Sequence, residues 1–346
     1  MNTEDWTYCR KALVDVSRTF SKPIEMLPGA LEHAVTCGYL LCRIADTIED
    51  DDALTIDERE RLFADFLDVM QERASVNTFC EAAATIWKGD DPESDLARNL
   101  DRVMRVFRSL DRPIQACVVP WVEEMARGMA LYRYRRPSGD GLVTILNEAD
   151  LERYCYFVAG TVGQMLTELF VHWIDGLDVT RKTQMREHAE SFALGLQLVN
   201  ILKDITDDYE RGVCFVPATL LGRVGLSPSE LLLPESLPLA KQAVDPLFER
   251  IDEVLRKAFS YALAIPPNET EIRLFCLLPL WMAVRTAQLA RGNDAQFRRG
   301  APVKISREEV ARLISDCVRR VNDDEALREG WHALRLPAQT AVPNAA

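Results

Sequence analysis

The segment from Phe192 to Asp208 reads FALGLQLVNILKDITDD. Apolar residues occupy nearly every side of a helix drawn through it, which predicts a buried α-helix. Asn200, Asp204 and Asp208 recur every four residues and therefore form one polar stripe on that helix. Buried carboxylates need a partner, and a bound metal ion is the simplest one. The alternative is that the acids at 207–210 only end the helix.

Another acidic stretch, YLLCRIADTIEDD, runs earlier in the chain, from Tyr39 to Asp51. In chain order, 39–51 is the first acidic stretch and 192–208 is the second. Four of its side chains share one helix face because they are four, three and four residues apart: Tyr39, Arg43, Asp46 and Asp50. Two carboxylates one turn apart can hold a hard cation such as Mg²⁺, and the guanidinium of Arg43 suits phosphate oxygens. The alternative is a solvated helix end, but Asp46 lies in an apolar stretch where an unpaired carboxylate is costly.

The two acidic stretches are more informative together than apart. Two apolar helices, each with acids four residues apart and a nearby cation, can form a two-sided site for a diphosphate held through Mg²⁺. A diphosphate bridged by metal can leave as an anion and generate an allylic carbocation in a dry pocket. The metal also reconciles an anionic substrate with a formal net charge of −13. The same net charge argues against a nucleic-acid partner.

Helical periodicity dominates the rest of the 346-residue chain and predicts an all-α protein. Breaks at Pro and Gly are spread along the chain, and none is long enough to be a domain linker. We therefore expect one domain over residues 1–336 and a disordered tail over 337–346. The Asp140–Gly141 turn predicts a short hairpin around Val143 to Leu146. Helices are expected in seven segments: Arg59–Arg73, Leu96–Leu110, Ile114–Leu131, Arg181–Tyr209, Leu239–Ala264, Ile272–Arg291 and Arg307–Val321.

Several further segments, in order along the chain, resemble the squalene/phytoene synthase family, whose paired aspartate motifs the two acidic stretches also resemble. SRTFS at 17–21 is similar to the N-terminal stretch of the family that contacts diphosphate. YCYFVAGTVG at 154–163 resembles the segment that squalene synthases carry between the aspartate motifs. FCLLP at 275–279 and FRRGAPVKI at 297–305 resemble C-terminal segments of squalene synthases in particular.

The resemblance implies a fold, a reaction and two cofactors. The fold is the class I terpenoid synthase bundle, a single α-helical domain around a central cavity. The reaction is the head-to-head (1′–1) condensation of two farnesyl diphosphates to presqualene diphosphate. In squalene synthases, reduction by NADPH then gives squalene. Farnesyl diphosphate is thus the expected substrate, and Mg²⁺ and NADPH are the expected cofactors.

The resemblance also assigns roles at the matching positions. The expected metal ligands are four aspartates: Asp46, Asp50, Asp204 and Asp208. The expected catalytic residues are these aspartates together with Tyr39 and Tyr154, whose rings can stabilise a cation and whose phenols can move a proton. The residues expected to bind substrate, or for Lys304 the phosphate of NADPH, are Ser17, Arg18, Thr19, Phe20, Arg43, Gln197, Asn200, Lys203, Phe275 and Lys304.

Two features of the 154–163 segment leave alternatives open. The alternative for Tyr154 is a core tyrosine with one hydrogen bond. Gly160 and Gly163 leave one side of a helix without side chains. Either another helix packs closely there, or a farnesyl chain lies against the backbone.

The remaining features concern location. Nine singly scattered cysteines and an acidic, polar N-terminal stretch indicate a reducing compartment and no secretory signal. The longest apolar run, Leu274 to Val284, is short for a membrane span and contains Pro279. We expect a cytoplasmic protein of the bacterial soluble type. A water-insoluble product is compatible with peripheral contact at the inner membrane face, and the oligomeric state is not predicted.

Three other functions stay open at this stage. One is a synthase of the same family that forms dehydrosqualene or phytoene, or that stops at presqualene diphosphate. Another is a non-catalytic isoprenoid-binding or assembly protein, although such a protein is expected to lose the metal aspartates. The third is a class I terpene cyclase, whose second metal motif normally combines Asn or Asp with Ser/Thr and Glu. Within the family pattern, Ser306 and the loop at 211–217 depart from the expected basic residues.

Overall fold

The computed structural model describes residues 2–17, 19–133, 141–300 and 303–335. Arg18 and the expected tail at 337–346 lie outside the described residues. The described chain is mostly helical with almost no strand, which confirms the all-α prediction. Its helices are α1 (Thr3–Val16), α2 (Ser21–Glu25), α3 (Gly29–Asp50), α4 (Ile56–Met70), α5 (Val76–Ile86), α6 (Pro92–Arg98), α7 (Leu100–Arg108), α8 (Arg112–Arg133), α9 (Glu148–Cys155), α10 (Thr161–Trp173), α11 (Val179–Lys203), α12 (Ile205–Glu210), α13 (Ala218–Arg223), α14 (Leu237–Ala264), α15 (Thr270–Ala290), α16 (Arg307–Arg320) and α17 (Asp324–Arg335).

The core is built around α11 and α3. α11 packs along α14 and also contacts α10 and α15, while α3 packs against α8 and α7. One hydrophobic cluster joins these helices from Cys9 to Trp331. α15 is long and apolar enough to cross a membrane, but most of it is buried inside the protein. It packs as a core helix, and it is longer than the apolar run quoted from the sequence.

Two of the predicted continuous helices are interrupted. The segment 96–110 breaks at Asn99, whose side-chain amide donates to the Asp95 carbonyl at 2.8 Å. Such local bonds from Asn compete with the helical pattern. The segment 181–209 breaks at Asp204, where φ is −108° and ψ is 21°, and this bend divides α11 from α12. Periodicity alone does not reveal either break.

Half of the predicted hairpin, before Gly141, lies outside the described residues, and the described half pairs with a distant segment. The strand at 143–144 (β1, Val143–Thr144) pairs in parallel with a distant strand (β2, Val213–Cys214). The Val143 N–H donates to the Gly212 carbonyl at 2.8 Å, and the Ile145 N–H donates to the Cys214 carbonyl at 3.2 Å. This pairing joins the chain just before α9 to the chain just after α12, and thereby brings the 154–163 segment to the second acidic stretch.

Candidate active site

A cavity of about 540 Å³ lies between the central helices. Many of the residues singled out from the sequence line it: Phe20, Tyr39, Arg43, Asp46, Asp50, Tyr154, Gln197, Asn200, Asp204, Asp208 and Phe275. Both acidic stretches thus face the same space. The volume is within the usual range for a small-molecule site.

Other predicted residues do not line this cavity. Ser17 is buried, and its hydroxyl oxygen accepts from the Phe20 N–H at 3.1 Å, so it shapes the turn that presents Phe20. Thr19 and Lys304 are exposed. The Lys203 ammonium lies 2.5 Å from the Asp204 carboxylate and is therefore a neighbour of the wall rather than part of it.

The cavity changes from apolar to charged along each of its two main helices. On α3 the lining residues run from Val35 to Asp50, and on α11 they run from Phe192 to the bend at Asp204. Successive lining positions three or four residues apart follow one helical face. Each helix therefore presents an apolar wall in its earlier turns and a polar wall in its last turns.

The two charged ends meet at Tyr154 and Arg211. The pKa of Tyr154 is raised well above its usual range by burial and by the negative charges of Glu49, Asp50 and Asp208. Burial lowers the pKa of Arg211, but the negative charges of Asp208 and Asp50 raise it. One tyrosine and one arginine of the cavity wall thus lie within electrostatic reach of both acidic stretches, which line the same cavity.

Asp46 is an unusual carboxylate. Burial raises its pKa from 3.8 to about 7, the Arg43 charge lowers that pKa in part, and Asp50 raises it. The Asp46 carboxylate lies 3.6 Å from the Arg43 guanidinium. Arg43 also donates to the Val16 carbonyl and to the Tyr39 hydroxyl, each at 3.4 Å. An acid with this pKa is partly protonated near neutral pH, and a bound cation would favour its charged form.

Asp208 has a similar environment on the opposite side. It is 6% exposed, and burial raises its pKa to about 6 even though the Arg211 guanidinium forms an ion pair with it. Asp204 and Asp207 add negative charge nearby. Arg211 lines the cavity and was missed from the sequence, because it was considered only as part of the loop at 211–217. Its position directly after the acidic stretch was the available signal.

Aromatic rings surround Tyr154. Its ring centroid is 5.3 Å from that of Tyr132 and 4.8 Å from that of Phe215. Phe20 and Tyr39 form a second aromatic pair at 6.3 Å. All five residues line the cavity, so aromatic faces meet its interior from more than one side. Such faces attract a positive charge.

A single π-helical turn follows Tyr154. It spans Tyr156–Gly160, and the Thr161 N–H donates to the Tyr156 carbonyl five residues back. π-turns inside helices frequently mark functional sites. Here the wider turn brings Val158 and Ala159 to the cavity wall together with Tyr154.

Gly163 lies where two helices pack closely, which confirms the first of the two alternatives for the glycines, while contact with a farnesyl chain stays a prediction. It lines the cavity, and a Cβ atom added to it would lie 2.3 Å from the Ala189 carbonyl oxygen of α11. α10 and α11 therefore approach as closely as a glycine allows. At Gly160 the nearest obstacles are side-chain atoms of Tyr156 and Glu190.

Replacing Gly163 with Ala is expected to lower the free energy of unfolding by about 1–3 kcal/mol, because backbone must move to admit the methyl group. Urea unfolding gives the measurement. Gly222→Ala is the control, since a Cβ atom there meets nothing within 4 Å. Equal stability of the two variants would contradict the close approach.

A helical bundle around a cavity that joins two acidic helix ends to an apolar wall matches the α-helical isoprenoid synthase fold. The chain belongs to the squalene/phytoene synthase family, because the family model of that description matches residues 13–309. It is accordingly a prenyltransferase-type enzyme.

Individual relatives resemble the chain in sequence, and solved structures resemble it in fold. The squalene synthase of Bos taurus is 26% identical, covering 89% of this chain and 68% of that protein. The solved structure of TcSQS with the ligand BPH1237 superposes with a TM-score of 0.81 at 24% identity, covering 98% of this chain and 94% of the other. A dehydrosqualene synthase structure gives 0.59 at 19% identity over 95% and 97%. The chain spans about two thirds of the length of the curated relatives it matches.

Proposed function

We propose that the protein is a squalene synthase. In this proposal it condenses two farnesyl diphosphates to presqualene diphosphate and then reduces that intermediate to squalene with NADPH. The observation that carries the proposal is one cavity lined both by two acidic helix ends and by apolar and aromatic side chains. The acidic helix ends suit a diphosphate head group held through metal ions, and the apolar and aromatic side chains suit a farnesyl chain.

Mg²⁺ is the proposed metal. Asp46, Asp50, Asp204 and Asp208 offer carboxylate oxygens, which are the ligands that Mg²⁺ prefers. No ready-made group of three metal ligands occurs among the residues that the structure describes. In this proposal the ion is held by one or two of the carboxylates and by the phosphates of the substrate. When bound, Mg²⁺ would supply the Lewis acidity that stabilises the departing diphosphate.

The chain's own residues supply the rest of the proposed chemistry. Arg43 and Arg211 provide fixed positive charge at the charged end of the cavity, where diphosphate binds. The rings of Tyr39 and Tyr154 stabilise the allylic cation that forms when diphosphate leaves. Apolar wall residues such as Phe275 exclude water, which would otherwise capture that cation.

NADPH belongs to the proposal because of the C-terminal segments and the squalene synthase relatives. Lys304, the basic residue assigned to it, is exposed and lies off the cavity wall. Its position suits a contact with the phosphate end of the cofactor in solvent rather than with the nicotinamide ring. The reductive step is therefore the part of the proposal that needs a direct product test.

Chromatography of the products from farnesyl diphosphate, with and without NADPH, tests the proposal. We expect squalene only when Mg²⁺ and NADPH are both present, and presqualene diphosphate when NADPH is left out. Reactions with geranylgeranyl diphosphate report chain-length preference, and reactions with EDTA provide the metal-free control.

Two results would overturn parts of the proposal. Dehydrosqualene or phytoene formed regardless of NADPH would replace the reductive step with the chemistry of a carotenoid-type synthase. Absence of diphosphate release from either substrate at every Mg²⁺ concentration would favour an isoprenoid-binding protein.

A further inference from the structure

A buried glutamine far along the chain reaches the bend in the second acidic stretch. Gln296 is 2% exposed, and its side-chain amide donates to the Leu202 carbonyl at 2.6 Å. Leu202 is the penultimate residue of α11, directly before Lys203 and the bend at Asp204. The last four carbonyls of a helix have no partner within that helix. Gln296 therefore satisfies one of the carbonyls that the bend frees.

The segment that carries Gln296 is fixed on several sides. It forms a short 3₁₀ turn, Asp294–Phe297, whose start is capped by the Asn293 side chain. Lys241 of α14 forms an ion pair with Asp294 at 2.8 Å. Arg299 forms an ion pair with Glu210, at the end of α12, at 3.2 Å. Residues 293–299 therefore contact both α11 and α12, on either side of the bend at Asp204.

The bend lies between two residues of the cavity wall, Asn200 and Asp208. The Asp204 N–H still donates to the Asn200 carbonyl at 2.9 Å, and the Asp208 N–H donates to the Asp204 carbonyl at 2.9 Å. Helical bonding thus continues on either side, and the change of direction is confined to Asp204. Any change in the bend would rotate Asp208 relative to Asn200.

We propose that Gln296 is a positioning residue of the active site, which holds the bend at Asp204 and thereby aims Asp204 and Asp208 into the cavity. The inference rests on the proposed metal and diphosphate chemistry. Gln296 does not line the cavity, so it acts through the backbone of Leu202 and not on the substrate. Residues that orient metal ligands in this way typically affect metal affinity or activity by about 10–100-fold.

Gln296→Met tests the proposal, because methionine has a similar volume and cannot donate the bond. The matched control is Gln115→Met. Gln115 is also buried at 6% exposure, and its amide donates to the Leu110 carbonyl at 2.7 Å near a helix end, but it lies off the cavity wall. The measurement is EPR titration of each full-length variant with Mn²⁺ in the presence of inorganic diphosphate, alongside thermal unfolding.

We expect Gln296→Met to weaken Mn²⁺ binding by about 10-fold, and Gln115→Met to leave it unchanged at a similar loss of thermal stability. Binding by Gln296→Met that equals wild type, or equal weakening in both variants, would overturn the positioning role. If Gln296→Met does not fold, the shorter Gln296→Asn decides the question by the same titration. Failure of the wild-type protein to bind Mn²⁺ with diphosphate would instead refute the proposed function.

Discussion

Replacing Asp46 with Asn is expected to lower turnover by about 1000-fold and to make the metal-free protein more stable above pH 7. The loss of activity follows from removing a charge that the proposed metal needs during departure of diphosphate. The gain in stability follows from the environment of Asp46. Burial raises its pKa from 3.8 to about 7, so its charged form is costly in the folded protein.

The sign of the pH effect follows from proton binding. A carboxyl with a higher pKa in the folded protein than in the unfolded chain favours folding while it is protonated. That contribution is present in full below about pH 4 and is lost as the pH rises to 7. Asn cannot ionise, so the variant avoids the loss. Because the Asp46 side chain is 29% exposed, we expect a gain of about 1–3 kcal/mol at pH 8.

Thermal unfolding of metal-free protein at pH 5 and pH 8 measures this effect. Asp46→Asn should exceed wild type by more at pH 8 than at pH 5. Asp245→Asn is the control, since Asp245 is an exposed carboxylate of α14. Added Mg²⁺ with diphosphate should stabilise wild type more than the Asp46 variant. Retained activity, or a lower stability of Asp46→Asn at pH 8, would contradict the interpretation of Asp46 as a metal ligand whose charged form is costly in the folded, metal-free protein.

Spacing along the chain was sufficient to predict the two acidic faces. Asp46 and Asp50 share a helix face because they are four residues apart, and helical geometry makes that relation local. The same reasoning placed Asn200, Asp204 and Asp208 on one side, and the structure keeps them on the cavity wall despite the bend. Fold class followed because apolar residues at helical spacing recur through most of the chain.

The remaining site residues depend on contacts between distant segments. Phe215 reaches Tyr154 because β2 pairs with β1, a parallel pairing that no local turn signal encodes. Gln296 contacts a carbonyl 94 residues earlier in the chain. Neither residue belongs to a periodic pattern of its own, so the sequence offered no physical reason to select it. Local geometry predicts faces, and tertiary packing decides which further residues complete them.

The second large effect is expected at Arg273, which holds the end of α15 nearest the cavity residue Phe275. Arg273 has 0% exposure. Its guanidinium donates to the Ile265 carbonyl and the Val321 carbonyl, each at 2.8 Å, and to the Asp324 carboxylate at 2.6 Å. One side chain thus joins α15 to the end of α14 and to the turn between α16 and α17.

Arg273→Met is expected to lower the free energy of unfolding by about 3–5 kcal/mol, because it leaves two buried carbonyls and a carboxylate without their donor. Arg291→Met is the matched control: Arg291 pairs with Glu249 and Asp252 but is 40% exposed, so its loss should cost about 1 kcal/mol or less. Urea unfolding of both variants gives the comparison. Similar costs would show that the buried bonds of Arg273 contribute no more than a surface ion pair, and α15 would then owe its position to apolar packing alone.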